Sequence, residues 1–356
     1  AMLLVVAALA PAGAPLAAQY CAGSATELQD ALTAAAASSA DDEVRVVRGF
    51  YGPAQPFNYT SQNAGWVFVL GGYDPGCAGR SLDARTTVLD GGLARQVLLL
   101  NYFPPGPTTQ GPRFGVDNLT LQNGLGTGFT RGGCLALSSP IDGSGQTEFW
   151  LDNLIVRNCS GYFGGGADLS ATRGLIRVAN SLFDGNMAPT TAFGHLTALV
   201  STTAAGNGTG VIILNSTFVN GTCAGNIGRG CGIGLTLPAG IRGDVLNSVF
   251  ANNAISDVHI EAGGSAYIDY SRVGAISGTV VPTITHPIVG DPGFIDAASA
   301  NYRLRDNSIL LNRGLGIPPY YTSNGYDLDG NLRVRSGILD VGAFENQGVL
   351  LINGFE

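Results

Sequence analysis

Polar and apolar positions alternate in short runs through the middle of the chain, and asparagine punctuates the runs. Five six-residue copies stand in phase: Asn118 to Asn123, Asn153 to Asn158, Asn180 to Gly185, Asn215 to Asn220 and Asn247 to Asn252. Their first residues lie 35, 27, 35 and 32 positions apart. Each copy opens on Asn, carries Leu, Val or Phe fourth, and closes on Asn or Gly. Ser181 and Phe183, Ser216 and Phe218, and Ser248 and Phe250 share one face of an extended strand, with Leu182, Thr217 and Val249 on the other. No helical period persists between residues 60 and 290. Such self-similarity predicts a solenoid in which each coil covers the apolar face of the next.

The expected fold is therefore all-β: a right-handed parallel β-helix over 65–285, with the handedness usual for parallel crossovers. Leu121, Val156, Phe183, Phe218 and Phe250 form its internal column, and residues 19–64 form an N-terminal cap. The repeated Asn118, Asn153, Asn180, Asn215 and Asn247 fall at coil corners. There their amides are expected to bond to neighbouring coils as a structural ladder.

Composition fits many turns around a long core. The chain has 53 Gly in 356 residues, about double the usual share, and 12% charged residues against about 25% ordinarily. Net charge is -8 and every basic residue is Arg. An acidic chain without a basic stripe argues against nucleic acid or an anionic membrane as partner. The absence of lysine removes Schiff-base and lysine general-base chemistry.

Residues Met2 to Ala10 are apolar and small residues follow to Ala18, so 1–18 reads as the remnant of a secretory signal, too short to span a bilayer. Six cysteines suit an exported protein. Fifteen connectivities exist. Proximity along the chain favours Cys21 with Cys77, Cys223 with Cys231, and Cys134 with Cys159.

Phe183-Asp184-Gly185-Asn186 and Phe250-Ala251-Asn252-Asn253, with Gly132-Gly133-Cys134-Leu135 and Gly165-Gly166-Ala167-Asp168, resemble the repeats of polymorphic outer membrane proteins. Phe218-Val219-Asn220 departs from them by placing Asn one residue early. Leu70 to Cys77 followed by Thr87 to Gly92 resembles the N-terminal part of β-helix proteins that carry such repeats. Asp291 to Asp296, Asn301 to Leu304, Asn312-Arg313-Gly314, Asp327 to Asn331 and Asp340 to Glu345 follow in an order similar to the choice-of-anchor Q domain. That makes 286–346 a small C-terminal region, with 347–356 as its tail. These resemblances imply export, display on the outer surface of a bacterium, and adhesion or glycan contact. The expected partner is a polysaccharide or a host or neighbour-cell surface, and the protein is expected to be a monomer.

Columns of the aligned repeat expose the candidate chemistry. Asp117 and Asp152 precede the repeat Asn on adjacent coils, where a stacked pair of carboxylates would hold Ca²⁺ or raise one pKa. Arg157 and Asp184 share a column and are expected to form an exposed ion pair across coils. The best binding surface is expected where Asp152, Arg157, Asp168, Arg173, Arg177 and Asp184 interrupt a bland exterior. A polysaccharide lyase acting on uronate polymers is the alternative, since lyases on this scaffold use carboxylates and a basic residue. The hydrolase motifs of the class fail: Asp41-Asp42 stands outside the repeats, and Gly194-His195 is followed by Leu196. His195, His259 and His286 read as hydrogen-bonded structural residues. Asp327-x-Asp329-x-Asn331 reads as a tight turn, because Leu332 stands where a calcium loop needs Gly.

Overall fold

The computed structural model describes residues 17–128, 130–141, 143–189, 193–201, 209–224, 229–316, 325–334 and 338–348. The expected signal remnant and C-terminal tail lie almost wholly outside them. The regular structure is nearly all β, and the chain winds as a parallel β-helix with three walls. The first wall is a ladder of ten strands, from Ala18–Ala22 through Arg113–Gln122, Thr147–Arg157 and Gly174–Ala179 to Thr283–Thr285. A second wall of eight strands runs from Phe57–Ser61 to Ile276–Gly278. The third is built from Gly49–Tyr51, Thr87–Asp90, the ends of Arg113–Gln122 and Thr147–Arg157, and then Leu182–Asp184, Thr217–Val219 and Val249–Ala251. Parallel pairing already begins at Ala18, so residues 19–64 include the first coils. Capping falls to the helix Ala25–Ala37, which buries Leu28, Ala31, Leu32 and Ala35 over the end of the core. Ser24 Oγ caps its N-terminus by accepting the Glu27 N–H, and the Glu27 carboxylate accepts the N–H of Gly23 just before the cap.

The six-residue motif is a pair of corners with a short strand between them. Asn118, Asn153, Asn180, Asn215 and Asn247 all adopt positive φ, between 46 and 61°. The closing Asn123, Asn158, Gly185, Asn220 and Asn252 do the same, between 53 and 61°. Asn and Gly enter this left-handed region most readily, so sharp bends select them. Between the corners the central side chain points inward. Leu89, Leu121, Val156, Phe183, Phe218 and Phe250 stack in register and are fully buried. Phe218 lies between Phe183 and Phe250, with ring centroids 4.9 and 4.8 Å away and planes nearly parallel.

Corners break the backbone ladder, and side chains repair it. Ser181, Ser216 and Ser248, each just past a corner Asn, donate through Oγ to the carbonyl two residues back. Each Oγ also accepts the backbone N–H of the preceding coil, at 3.1 to 3.2 Å, and Ser271 continues the series at 3.0 Å. The Asn amides behave less uniformly. Asn247 donates to Asn215 at 3.1 Å, Asn153 to the Asp117 carboxylate at 3.3 Å, and Asn118 to the carbonyls of Gly71 and Ser81.

A separate amide column lies inside. Asn186 and Asn253, the last residues of the two Phe-x-x-Asn elements, bond to the backbone of the coil before them. Gly221 occupies the equivalent place after Phe218, and a Cβ there would meet His195 Nε2 at 2.7 Å. The imidazole fills the gap: Asn186 Nδ2 donates to its Nδ1, and its Nε2 donates to Asn253 Oδ1. The departure of this coil from the repeat is thus compensated by a histidine from a neighbouring loop.

The outward side of the third wall, where the alternation places Leu182, Thr217 and Val249, is not solvent-facing. Leu182, Thr217 and Val249 are buried, because the C-terminal region folds back along them. Phe294, Tyr302, Leu304, Leu310, Leu328, Val341 and Phe344 form one apolar cluster with Ile155, Leu182, Val219 and Val249. Ala343 N–H donates to Thr217 Oγ1 at 3.0 Å, and the Tyr302 hydroxyl to Asp184 at 2.8 Å. Asp327 caps its own turn by accepting from the N–H groups of Asp329 and Asn331, as a tight turn requires. The cysteines pair as Cys21–Cys77, Cys134–Cys159 and Cys223–Cys231. Three disulfides fit an oxidising extracellular environment. Among the described residues no helix is long and apolar enough to cross a membrane.

Two measurements check this core. Phe218→Ala should destabilise the protein by about 3–5 kcal/mol in urea unfolding, since both stacked neighbours hold the cavity open. Burial holds His195 neutral, lowering its pKa from 6.5 to about 4. The unfolded chain therefore binds an extra proton between these values, so stability is full above pH 6.5 and falls as pH drops toward 4. This group should account for about 3 kcal/mol of acid-induced loss, absent in His195→Gln whatever that variant's absolute stability.

Candidate functional site

The six charged residues expected to share a surface do not converge. Asp152 and Arg177 lie on the exterior of the first wall, in the strands Thr147–Arg157 and Gly174–Ala179, and Arg173 immediately precedes the second of these. Asp168 lies on the second wall, in Ala167–Ala171. Arg157 and Asp184 belong to the third wall, at the edge of the C-terminal region. Sequence columns identify neighbours on one wall and carry no information on which walls face each other.

The expected ion pair between Arg157 and Asp184 is also absent, although the two are in register. Asp184 Oδ1 instead accepts from the Tyr302 hydroxyl and Asn220 Nδ2, at 2.8 and 2.9 Å. Arg157 turns to Gln122 Oε1, bonding through Nε and Nη2 at 2.9 and 2.6 Å. The phenol of the folded-back region outcompetes the guanidinium.

Asp117 and Asp152 are adjacent rungs. Each is met by its own guanidinium: Arg80 Nη2 lies 2.8 Å from Asp117, and Arg177 Nη1 bonds Asp152. Among the described residues no third His, Cys, Asp or Glu joins them to make a metal-ligand group. The stacked carboxylates are thus neutralised by cations of the protein. Burial still raises the Asp152 pKa to about 6, with Arg177 opposing and Asp117 adding to the rise. Asp168 is pushed up to about 7 by burial, with Arg131 Nη1 at 3.6 Å too distant to offset it.

The exterior of the first wall carries a feature that the repeat reading missed. Arg113 lies over the Trp66 ring, its guanidinium carbon 3.8 Å from the centroid, and 5.3 Å from that of Trp150. Arg177 stands 5.5 Å from the other side of Trp150. The result is an alternating strip, Trp66–Arg113–Trp150–Arg177, lying across the coils. Glu148 fixes it by accepting from Trp150 Nε1 at 3.0 Å and pairing with Arg113 at 2.7 Å. Phe68 packs over Gly115, where a Cβ would come within 2.0 Å of its ring, so glycine is required in that rung. Stacked guanidinium planes suit Arg and not Lys. The missed signal was the column three residues before the repeat Asn, which places Trp150 beside Arg177.

At the Trp66 end the strip opens into a cleft of about 1060 Å³. Asp41, Gln62, Asn63, Gln110 and Gln146 line it with side-chain donors and acceptors, and Trp66, 38% exposed, supplies an apolar edge. Asp41 also accepts the Trp66 N–H at 3.0 Å, tying the tryptophan to the wall. His259 and His286 are hydrogen-bonded to Ser277 and Asp269 respectively.

The buried pair can be tested directly. Arg177→Met should cost about 3–5 kcal/mol at a pH above the Asp152 pKa, because a carboxylate is left buried without its counter-charge. Adding Asp152→Leu should return most of that loss in urea unfolding. No protein-family model matches this chain, and no curated protein matches it.

Proposed function

We propose that this protein is a secreted or cell-surface β-helix of a bacterium that binds polysaccharide, as a monomer and without catalysis, through the first wall and its cleft. One observation carries the reading: the alternating Trp–Arg strip continues into a cleft edged by Trp66 and lined by amide and carboxylate side chains. Sugar rings offer apolar faces rimmed by hydroxyls, and an aromatic edge beside Asn, Gln and Asp groups complements both. A straight ladder of coils lets successive weak contacts add along a polymer. The three disulfides support an exported chain that works outside the reducing cytosol.

A second reading, a polysaccharide lyase, has one observation behind it. Burial pushes Asp168 up to about 7, so its carboxylate would serve as a base near neutrality while Arg131 faces a uronate carboxylate. Against it stands the separation of Asp168 from the first-wall strip.

A glycan array followed by affinity electrophoresis tests the proposal. Trp66→Ala should weaken binding of the selected polysaccharide by at least about tenfold, a typical loss for an aromatic anchor, while Asp168→Ala leaves it unchanged. Release of unsaturated uronate products from any polymer, abolished by Asp168→Ala in a folded protein, would replace the binding reading with the lyase.

A further inference from the structure

We infer that a small cavity between the third wall and the C-terminal region binds a monocarboxylate with a compact apolar body, through Arg157. The inference is independent of polysaccharide binding on the first wall. The cavity has a volume of about 120 Å³. Ile155 and Leu182 form its floor, Leu328 and Phe344 its roof, and Arg157 and Arg303 border it. Floor and roof belong to the apolar cluster that joins the C-terminal region to the coils. The space therefore pairs apolar walls with guanidinium groups, and the complementary ligand has a hydrocarbon end and an anionic end.

The charges at the cavity single out one cation. Arg303 is held by Asp329 through two bonds, at 2.6 and 2.5 Å. Arg85 is held by Asp83 at 2.7 and 2.9 Å and lies 3.3 Å from Asp329. Arg157 is different: its bonds run to the neutral oxygen of Gln122, and among the described residues no carboxylate pairs with it. Gln122 is anchored in turn, its Nε2 donating to Asp90 at 2.6 Å. The guanidinium is thus positioned by a neutral group and keeps Nη1 for another acceptor. A planar carboxylate fits such a donor.

The same charges limit the ligand. Asp184 and Asp329 also line the cavity, so a dianion would meet two carboxylates for one unpaired cation. The Asp184 charge is partly met by Tyr302 and Asn220, which leaves room for a single negative charge beside it. Liquid water occupies about 30 Å³ per molecule, so the volume corresponds to about four waters. A carboxylate of about four to six heavy atoms fills it, the class represented by propionate and butyrate.

Calorimetric titration of the full chain with butyrate, butyramide and inorganic phosphate provides the test. Butyrate should bind and raise the thermal midpoint, with the amide and phosphate at least about tenfold weaker. Arg157→Gln should weaken butyrate by a similar factor; the residue is exposed, so the fold does not depend on its charge. Leu182→Phe should abolish binding by filling the floor, and if that variant does not fold, Arg157→Gln decides. Polysaccharide binding should be unchanged in Arg157→Gln, which separates failure of this inference from failure of the first-wall reading. Butyramide binding as tightly as butyrate, no butyrate binding, or unchanged affinity in Arg157→Gln would each overturn the inference.

Discussion

Everything in this molecule depends on a backbone that bends at the same two points in every central coil. An asparagine or glycine with positive φ at each point holds the short third-wall strand in phase from coil to coil. Because the phase is kept, like stacks on like: Phe183 on Phe218 on Phe250, Ser181 under Ser216 under Ser248. The stacking of aromatic rings supplies burial, and the serine hydroxyls supply the hydrogen bonds that bent backbone cannot make for itself. Neither would form if one corner slipped by a residue, since a one-residue shift turns every side chain to the opposite face.

Stacking like on like has an electrostatic consequence. Parallel rungs lie about 4.8 Å apart, so a carboxylate repeated in one column repels its neighbour. Asp117 and Asp152 are such a pair, and each is held by its own arginine. On the third wall Asp184 stands between Arg157 and Val219 in its column, and it is met instead by a phenol and an amide from segments far apart in sequence. The planar, multiply donating guanidinium can bond a carboxylate and lie against an indole at the same time, as Arg113 and Arg177 do with Trp150. An exterior built this way has a use for arginine that a lysine ammonium would not serve.

The wall positions were legible because they are local. Positions one and six of the repeat mark the corners, position four the core, and neither inference needs contact with distant chain. The inner polar column was half legible: Asn186 and Asn253 stand in matching motifs, whereas His195 reaches the vacant place of the intervening coil from a loop outside the motif. The Trp–Arg strip was legible in part: alignment on the repeat Asn puts Trp150 beside Arg177, whereas Trp66 and Arg113 stand outside that column. Least legible was the return of the C-terminal region. Tyr302 meets Asp184 across 118 residues and Ala343 meets Thr217 across 126, distances over which periodicity says nothing.

That return reverses the meaning of a sequence pattern. Alternation of Phe183 with Leu182, or Phe218 with Thr217, ordinarily separates an inner face from a wet one. Here both faces are dry, and the outward residues are apolar or hydrogen-bonded accordingly: Leu182 and Val249 sit in the apolar cluster shared with the C-terminal region, and Thr217 accepts a backbone N–H. A solvated wall of a β-helix tolerates almost any polar residue, whereas a wall covered by its own C-terminal region must match that region in shape and charge. The covered wall is therefore the one whose departures from a close fit carry information. At one such departure Asp184 has turned to Tyr302, Arg157 has turned to a neutral amide, and a small cavity lies beside them.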